Sequence, residues 1–476
     1  MRFHILTLFP DMIRQGLEAS MIGRAVDKGL IRLNMVNIRD FTREKHGRVD
    51  DYTYGGGAGM LMQAQPVFDA WKSICKVVGE ARTVYVTPQG EPFTQAKVRE
   101  LAGEKELIIL CGHYEGIDER VLEETVTDRI SIGDYILTGG ELAAMVIVDA
   151  VSRLIPGVLG NEASADMESF HGDLLEYPQY SRPEIWNGKK VPEVLLSGDH
   201  RRVEQWRLEQ AKERTAAMRP DLYAKYEAKQ ALIQRLARDK RNHIHITESL
   251  KGGRGEILYE NEERLLVADR EAGVCMLLCG DGGRTGEARA LADEDGSKLT
   301  ELLSAAPEHA EWYVVIQEQL VNELLARGFR IWGKCSQYVY TQGQVLPVRL
   351  KEIRRLTLAD LGYVCAHYHQ EGKEYLEERI RAGVMYGAFE DGRQIGFIGT
   401  HKEGAMGMLY VEEGYRRQGV GRALLSYHIN RLLEQGRTPY GHVLAGNSAS
   451  ESLLEGMGLY KAGRPVWWMQ KKACNH

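Results

Sequence analysis

Two stretches of the chain place chemically useful residues at close spacing. Leu107 to Arg120 reads LIILCGHYEGIDER, and Ser131 to Glu141 reads SIGDYILTGGE. Each runs from a strand-like segment into a loop of glycines and small polar residues, where an open α/β sheet offers backbone amides and carbonyls to a ligand. Gly112, Gly116, Gly133, Gly139 and Gly140 let main chain approach a bound molecule with no Cβ in the way. Neither stretch has the spacing of a Walker loop or a GxGxxG fingerprint, which sets aside the ordinary nucleotide sites. A third stretch, Arg416-Arg417-Gln418-Gly419-Val420-Gly421-Arg422, lies between an apolar run ending at Val411 and a helical pattern. Amides at such a helix start would cradle an anion.

The elements that must position these loops follow from periodicity. Phe3 to Phe9 is an apolar strand ending at Pro10, and Met12 to Ala25 has the pattern of an amphipathic helix. Ile31 to Val36 alternates as a second strand, and a polar loop runs from Arg39 to Gly59. Within it, Tyr54-Gly55-Gly56-Gly57-Ala58-Gly59 is too rich in glycine for an element interior and reads either as a plain flexible connection or as a place of close backbone approach to a ligand. Arg43, Lys45, His46 and Arg48 stand just before it as phosphate contacts or as a solvated face. Thr83 to Thr87 is a strand closed by Pro88-Gln89-Gly90, and Leu107 to Cys111 is the next; helices at Gln65 to Val78 and Gln95 to Ala102 alternate with them. That βαβ order predicts a parallel sheet. Asn161 to Asp173 is polar and aperiodic, as a hinge that orders over substrate would be. From His200 to His245 twelve basic residues face six acidic ones. This predicts a locally positive helical surface, with Arg201, Arg202, Arg207, Lys212 and Arg214 as phosphate contacts or as partners of Glu204, Glu209 and Glu213.

From Met1 to about Asp221 the sequence resembles the bacterial tRNA guanine methyltransferases that modify position 37, beside the anticodon. The resemblance is carried by the two glycine stretches and by FTREKHGRVDD, YGGGAGMLM, SRLIPGVLGNEAS, YPQYSRPE and VPEVLLSGDH, all in the family's order. It implies a trefoil-knotted fold, with the loops threaded through one another to hold S-adenosylmethionine. Pro88, Gly112, Tyr114 and Glu115 fall where the family contacts that cofactor, with Ile132, Gly133, Asp134, Tyr135, Ile136, Leu137, Gly139 and Gly140 completing the cleft. It also implies a homodimer with the cleft between subunits, a small helical region that grips the tRNA, and magnesium dependence, although these residues show no ion cage.

Methyl transfer to ring nitrogen 1 of guanine requires that nitrogen to lose its proton. A carboxylate within hydrogen-bond reach can take the proton, and a cation near the six-oxo oxygen can stabilise the charge that develops. In the family the base is an aspartate immediately before Ser-Phe. Here Glu168 stands at that position, in Gly160-Asn161-Glu162-Ala163-Ser164-Ala165-Asp166-Met167-Glu168-Ser169-Phe170. Glu168 is therefore taken as base and Arg153 as cation, with Asp166 as the rival base. The competing class is a tRNA-binding scaffold whose methyltransferase is impaired by the change to glutamate.

Beyond about His245 that resemblance ends. Lys251 to Glu256 reads as a linker. Met385 to Glu390 and Gln394 to His401 form a hairpin pattern around Asp391-Gly392, and Met406 to Val411 is another strand. With Arg416-x-x-Gly419-x-Gly421 and Asn447-Ser448-Ala449-Ser450, this region is similar to the GNAT superfamily of N-acetyltransferases. The resemblance implies acetyl-CoA held by Val411, Arg416, Arg417, Gln418, Gly419, Val420, Gly421 and Arg422, with Asn447 on the cofactor arm. The position where many relatives carry an acidic tyrosine falls near Leu453-Leu454. Tyr460 is expected in the core and Glu403 at an exposed strand end. The region is either an active acetyltransferase on an unknown amine or a module that binds acyl-CoA without turnover. Strands at Arg264 to Ala268, Val274 to Cys279 and Trp312 to Ile316, with a helix near Gln319 to Arg327, hint at a degenerate half of the same kind.

The expected organisation is α/β: a knotted parallel-sheet methyltransferase at 1–160, a linker at 161–173 and a helical tRNA-binding domain at 174–246. A degenerate GNAT-like region at 257–346 and an α+β GNAT-like domain at 347–472 follow. At 476 residues, 43% hydrophobic and 27% charged, the chain is long enough for two to four such cores. Seven cysteines without CxxC pairs suit reduced thiols, and Cys275 and Cys279 suit core packing rather than zinc. No apolar run reaches bilayer length and no cleavable leader is evident, so a cytoplasmic location and no membrane partner are expected. A net charge of -6 places any nucleic-acid surface in local patches.

Overall fold

The computed structural model describes residues 1–56, 59–159, 173–261, 264–269, 272–279, 297–307, 310–350 and 352–471. It divides into two compact units, Met1–His171 and Gly172–His476.

The first unit is built on strands β1 (Arg2–Thr7), β2 (Arg32–Asn37), β5 (Arg82–Pro92), β6 (Glu106–Cys111) and β7 (Asp128–Ser131). They form one parallel sheet in the order β2-β1-β6-β5-β7. The side chains of β6 show why both faces must be covered. Leu107, Ile109 and Cys111 enter one core, and Ile108 and Leu110 enter the other. Helices α1 (Pro10–Leu17), α2 (Ser20–Asp27), α4 (Gln95–Ala102) and α6 (Glu141–Ser152) supply residues to the first core. Helices α3 (Ala64–Val78) and α5 (Glu119–Thr125) supply the second.

Three local expectations need correction. The single helix of Met12 to Ala25 is two helices, because the chain turns sharply at Ser20, whose φ is 58°. The backbones there lie so close that a Cβ on Gly23 would meet the Glu18 carbonyl at 2.2 Å. The strand expected to end at Pro88 continues to Pro92, with a register shift between Val86 and Glu91 that absorbs the proline. The polar loop of 39–59 contains β3 (Asp50–Tyr52), paired antiparallel with β4 (Met60–Met62). Gly57 and Ala58 lie outside the described residues.

In the second unit, the two-residue strands β8 (Ile185–Trp186) and β9 (Lys189–Lys190) form a hairpin. Helices α7 (Glu193–Leu196), α8 (His200–Met218), α9 (Pro220–Leu236) and α10 (Lys240–Lys251) follow. Helix α10 crosses residue 246 and buries every side chain from His243 to Leu250, so it belongs to the sheet beside it. The expected linker at 251–256 is a tight corner. Arg254 there donates to the buried Asp269 carboxylate at 3.2 Å and to the Glu403 carbonyl at 3.0 Å.

That sheet holds β10 (Gly255–Glu260), β11 (Arg264–Asp269), β12 (Val274–Cys279), β13 (Trp312–Val315) and β14 (Phe329–Val339). It also holds β15 (Glu352–Arg355), β16 (Met385–Glu390), β17 (Arg393–Thr400), β18 (Met406–Val411), β19 (Tyr440–Leu444), β20 (Tyr460–Lys461) and β21 (Val466–Lys471). Two repeats are visible. β10-β11-β12 is an antiparallel meander followed by the parallel pair β12/β13, and β16-β17-β18 is another followed by the parallel pair β18/β19. Helices α11 (Ser297–Ser304) and α12 (Glu318–Ala326) connect the first repeat. Helices α13 (Leu361–His367), α14 (Lys373–Arg381), α15 (Val420–Glu434) and α16 (Ser448–Gly456) serve the second. Each repeat gives its last strand to the other: β14 pairs with β19, β21 pairs with β13, and β14 and β21 pair with each other. The repeats therefore share one continuous sheet.

At the end of the first unit's sheet that begins β5 and β7, Arg82 donates to Asp128 at 2.8 and 2.5 Å and to Glu100 at 2.6 Å, with Lys97 closing the cluster. Burial works against both carboxylates, but the Arg82 hydrogen bonds overcome it and hold them below their ordinary values. Their stabilisation is therefore complete above the unfolded carboxylate range and is lost as pH falls through the lowered folded values. Asp128→Asn at neutral pH is expected to cost about 1–3 kcal/mol by leaving Arg82 under-compensated. The measure is hydrogen exchange of the β5 amides, and unchanged protection would refute the assignment.

Candidate functional site

In the first unit the two glycine stretches meet. The chain leaves β6 at Cys111 and the second stretch leaves β7 at Ser131; Gly140 N–H then donates to the Gly112 carbonyl at 2.8 Å. His113 and Gly139 form an isolated antiparallel bridge. A Cβ at Gly140 would lie 2.9 Å from Cys111 Cα and 3.0 Å from Gly112 N, so only glycine permits this approach. Tyr114 adopts φ 58° and Glu115 N–H donates to the Met60 carbonyl at 2.9 Å, tying the loop to β4. Gly133 has φ 147° and lies under the Tyr135 ring, and Tyr135 Oη donates to the Ile132 carbonyl at 3.4 Å. Tyr114, Tyr135 and Ile136 are exposed, as residues at the mouth of a cleft would be. Pro88 lies on the irregular segment of β5, two residues beyond Val86, whose side chain packs against Gly140.

The structure adds three residues that sequence reasoning missed. Glu141 begins α6 with a buried carboxylate that accepts from Thr7 Oγ1 at 2.8 Å, a charge suited to the positive end of a helix. Thr7 Oγ1 also accepts from Phe9 N–H at 2.9 Å. His113 Nδ1 is buried without a hydrogen-bond partner among the described residues, beside the Phe9 and Tyr114 rings. The acidic residue after Gly-Gly was a readable helix-start signal; the Thr7 partnership joins residues 134 apart and was not. Bare peptide edges without Cβ atoms, next to an unpartnered imidazole nitrogen, fit a flat polar ligand laid on main chain. Arg153 is exposed at the C-cap of α6. Glu168 and Asp166 lie outside the described residues. Among the described residues no three His, Cys, Asp or Glu side chains are grouped to hold a metal ion.

On α8, Arg207 lies over the Tyr177 ring at 4.8 Å and Lys212 over Tyr226 at 5.6 Å, while Arg201, Arg202 and Arg214 are exposed. Glu209 and Glu213 accept hydrogen bonds from Gln205 and Gln210.

The second repeat contains an opening in the sheet. β18 and β19 pair only at Met406 and Gly441 and then diverge, with Met408 at φ 52°. Beyond β18, Gly419 adopts φ 87° as N-cap of α15, leaving amides of the 416–421 loop and the helix start together. Val420 is buried beneath them. Arg417, Gln418 and Arg422, the side chains expected to crowd the anion, are all exposed, as is Arg416. Arg416 donates to Val411 O at 3.1 Å, Gln418 to Gly414 O at 2.7 Å and Arg422 to Gly456 O at 2.5 Å. These hydrogen bonds brace the loop while leaving the side chains at the surface. Asn447 caps α16 by accepting from Ser450 N–H at 3.2 Å and lines the adjoining cavity. An open strand pair beside a helix N-terminus fits an extended arm with a diphosphate head.

The cavity encloses about 520 Å³ and reaches from Asn447 and Leu453 to Tyr368, Glu371, Glu403 and His442. Glu403 is no exposed strand end: it is partly buried in the cavity wall, and burial pushes its carboxyl up to about 7. Burial also raises Glu371 and lowers His401 to about 4. Arg254, Arg437 and Tyr440 hold the turn bearing Glu403, donating to the carbonyls of Glu403 and Gly404. Tyr460, expected in the core, is exposed with Arg241 over its ring. The placement of Glu403 depends on residues remote in sequence that hold its turn.

Residues 1–225 match the family described as tRNA (Guanine-1)-methyltransferase TrmD, and residues 350–459 match the acetyltransferase (GNAT) family. A tRNA (guanine-N(1)-)-methyltransferase of Lachnospira eligens is 58% identical over 227 residues, 48% of this chain and 96% of that protein. One from Ruminiclostridium cellulolyticum is 53% identical over 233 residues, covering 49% and 100%. One from Clostridioides difficile is 50% identical over 227 residues, covering 47% and 98%. With nearly the whole length of such relatives matched by its first half, the chain belongs to the tRNA (guanine-N1)-methyltransferase family and carries a GNAT acetyltransferase domain behind it.

Proposed function

We propose that the first half transfers a methyl group from S-adenosylmethionine to ring nitrogen 1 of guanosine 37 in tRNA. The observation that carries this reading is the seating of Gly140 on Gly112, a main-chain cradle that admits no side chain. In this reading Gly112 to Glu115 and Ile132 to Gly140, with Pro88, hold the cofactor, and the two loops are threaded as a trefoil knot. S-adenosylmethionine, when bound, supplies an electrophilic methyl carbon. The chain's own work is to orient guanine, to remove the nitrogen-1 proton with Glu168 and to stabilise charge on the six-oxo oxygen with Arg153. The segment 161–173 joins the catalytic domain of 1–160 to a tRNA-gripping region at 174–246. Exposed Arg201, Arg202 and Arg214 support that grip electrostatically. A homodimer is supported by α6, which exposes Leu142 and Val146 four residues apart on one face. A cytoplasmic location suits a tRNA substrate; no helix among the described residues is long and apolar enough to cross a membrane.

For the second half, the region 347–472 is an acetyl-CoA-dependent N-acetyltransferase, with 257–346 as its partner repeat. The open β18/β19 pair and the Gly419 helix start support cofactor binding. Glu403 in the cavity wall supports turnover over binding alone, since an amine acceptor must lose a proton to a base.

Glu168→Ala is expected to lower kcat for tRNA methylation by roughly 10²–10⁴-fold, with substantial recovery in Glu168→Asp, while Asp166→Ala stays near wild type. Methyl incorporation into guanosine-37 and adenosine-37 tRNA decides it, and a larger loss in Asp166→Ala would transfer the role. A wild-type chain that binds tRNA yet incorporates no methyl would establish the scaffold instead. For acetyl transfer, the base form of Glu403 predominates only above about 7, so kcat/KM should rise with pH through that value. Glu403→Gln should abolish the limb; its persistence would remove Glu403 from the role.

A further inference from the structure

Among the described residues, the first repeat shows no parted strand pair of the kind seen in the second. Its parallel strands β12 and β13 stay paired from Val274/Trp312 to Leu277/Val315, whereas β18 and β19 part after one residue pair. What the first repeat does instead follows from the exchanged strands. Trp332 of the exchanged β14, Trp468 of the exchanged β21 and Trp312 of β13, which pairs with β21, stand in the wall of the second repeat's cavity. The three indoles form an edge-to-face chain, 5.9 Å from Trp312 to Trp332 and 6.4 Å from Trp332 to Trp468, and His442 continues it at 6.1 Å.

The polar groups of the cavity favour a cation. Glu371 and Glu403 present carboxyls, while the Lys402 ammonium is engaged by Glu378 at 2.6 Å. The first repeat also sets the hydrogen-bonding role of His442. Gln337 of β14 directs its amide nitrogen to the carbonyls of Arg241 and Asn242 at 2.6 and 3.2 Å, so its oxygen must accept. That oxygen takes hydrogen bonds from His245 Nδ1 at 3.2 Å and from His442 Nε2 at 3.0 Å. With Nε2 protonated, His442 Nδ1 is a bare lone pair, and it is buried with no partner among the described residues. His442 as a whole lines the cavity wall.

We propose that the first repeat is the acceptor-binding half of the acetyltransferase. Trp312, Trp332 and Trp468, with Glu371, Glu403 and His442, form a subsite for a small primary amine on an apolar or aromatic body that lacks a carboxylate. The inference rests on the acetyltransferase reading above. Indole faces hold the body and the cationic head. The two carboxylates reject an anionic substituent. In the transfer the amine nitrogen bonds to the acetyl carbonyl carbon as the carbon–sulfur bond breaks. Of the two protons the ammonium loses, one passes to Glu403 before attack and frees the nitrogen lone pair, and the other leaves nitrogen after attack and is taken up by the departing thiolate.

The test uses the full chain with acetyl-CoA and measures thiol release with 2-phenylethylamine, butylamine, phenylalanine, spermidine and a lysine-bearing peptide. Expected is a kcat/KM for 2-phenylethylamine at least about tenfold above those for butylamine and phenylalanine. Trp332→Ala should raise the KM for 2-phenylethylamine about tenfold with kcat within about twofold, and Trp332→Phe should restore it. Trp332 is half exposed, so its truncation leaves the core intact. Equal or better use of phenylalanine, or turnover of spermidine or the peptide alone with no response to Trp332→Ala, overturns the inference and leaves the acetyltransferase standing. Calorimetric binding of acetyl-CoA without turnover of any amine overturns both.

Discussion

Parallel sheets hydrogen-bond poorly where their strands run out, and both candidate sites occupy such a place. In the first unit the loops leaving β6 and β7 are laid main chain on main chain, with Gly140 N–H on the Gly112 carbonyl. In the second unit β18 and β19 meet at one residue pair and separate. Backbone groups released from the ladder must find partners elsewhere, and a polar ligand is one way to satisfy them. Gly140, where a Cβ would meet the Cys111 and Gly112 backbone, and the left-handed Gly419 are the residues these paths require.

The surrounding architecture holds those openings rigid. Two cores clamp the first unit's sheet from both faces, and the buried Glu141–Thr7 contact joins the start of α6 to the end of β1. In the second unit the exchange of β14 and β21 leaves neither repeat complete without the other. A repeat that had lost its own opening would still be retained as structure, because its strands complete the sheet on which its neighbour's cleft is built. The aromatic wall and the Gln337–His442 contact give the same dependence a chemical content.

Polar groups that face the second cavity are held by residues from several parts of the chain. Arg254 from the corner before β10, Arg437 and Tyr440 converge on the carbonyls of one turn. Each hydrogen bond is modest, yet together they keep a carboxyl in a site where water would otherwise lower its proton affinity. Asp269, with no exposed surface, balances Arg254 there.

Local order was legible in the sequence wherever it depended on near neighbours. The β16–β17 hairpin turns at Asp391-Gly392, whose φ values of 48° and 77° are those the dipeptide favours. Helix α4 occupies the residues its periodicity predicts, and the strand at 406–411 does likewise. The glycine spacing marked the loops that approach one another, and motifs sufficed for both family assignments. Tertiary structure alone decided that the presumed linker at 251–256 is a pinned corner, that Glu403 faces a cavity, and that three tryptophans from two repeats share one wall. Periodicity reports which face of an element is apolar, but not which distant element covers it. Exchange of end strands between repeats is settled by the packing of a whole sheet, to which no local pattern is sensitive.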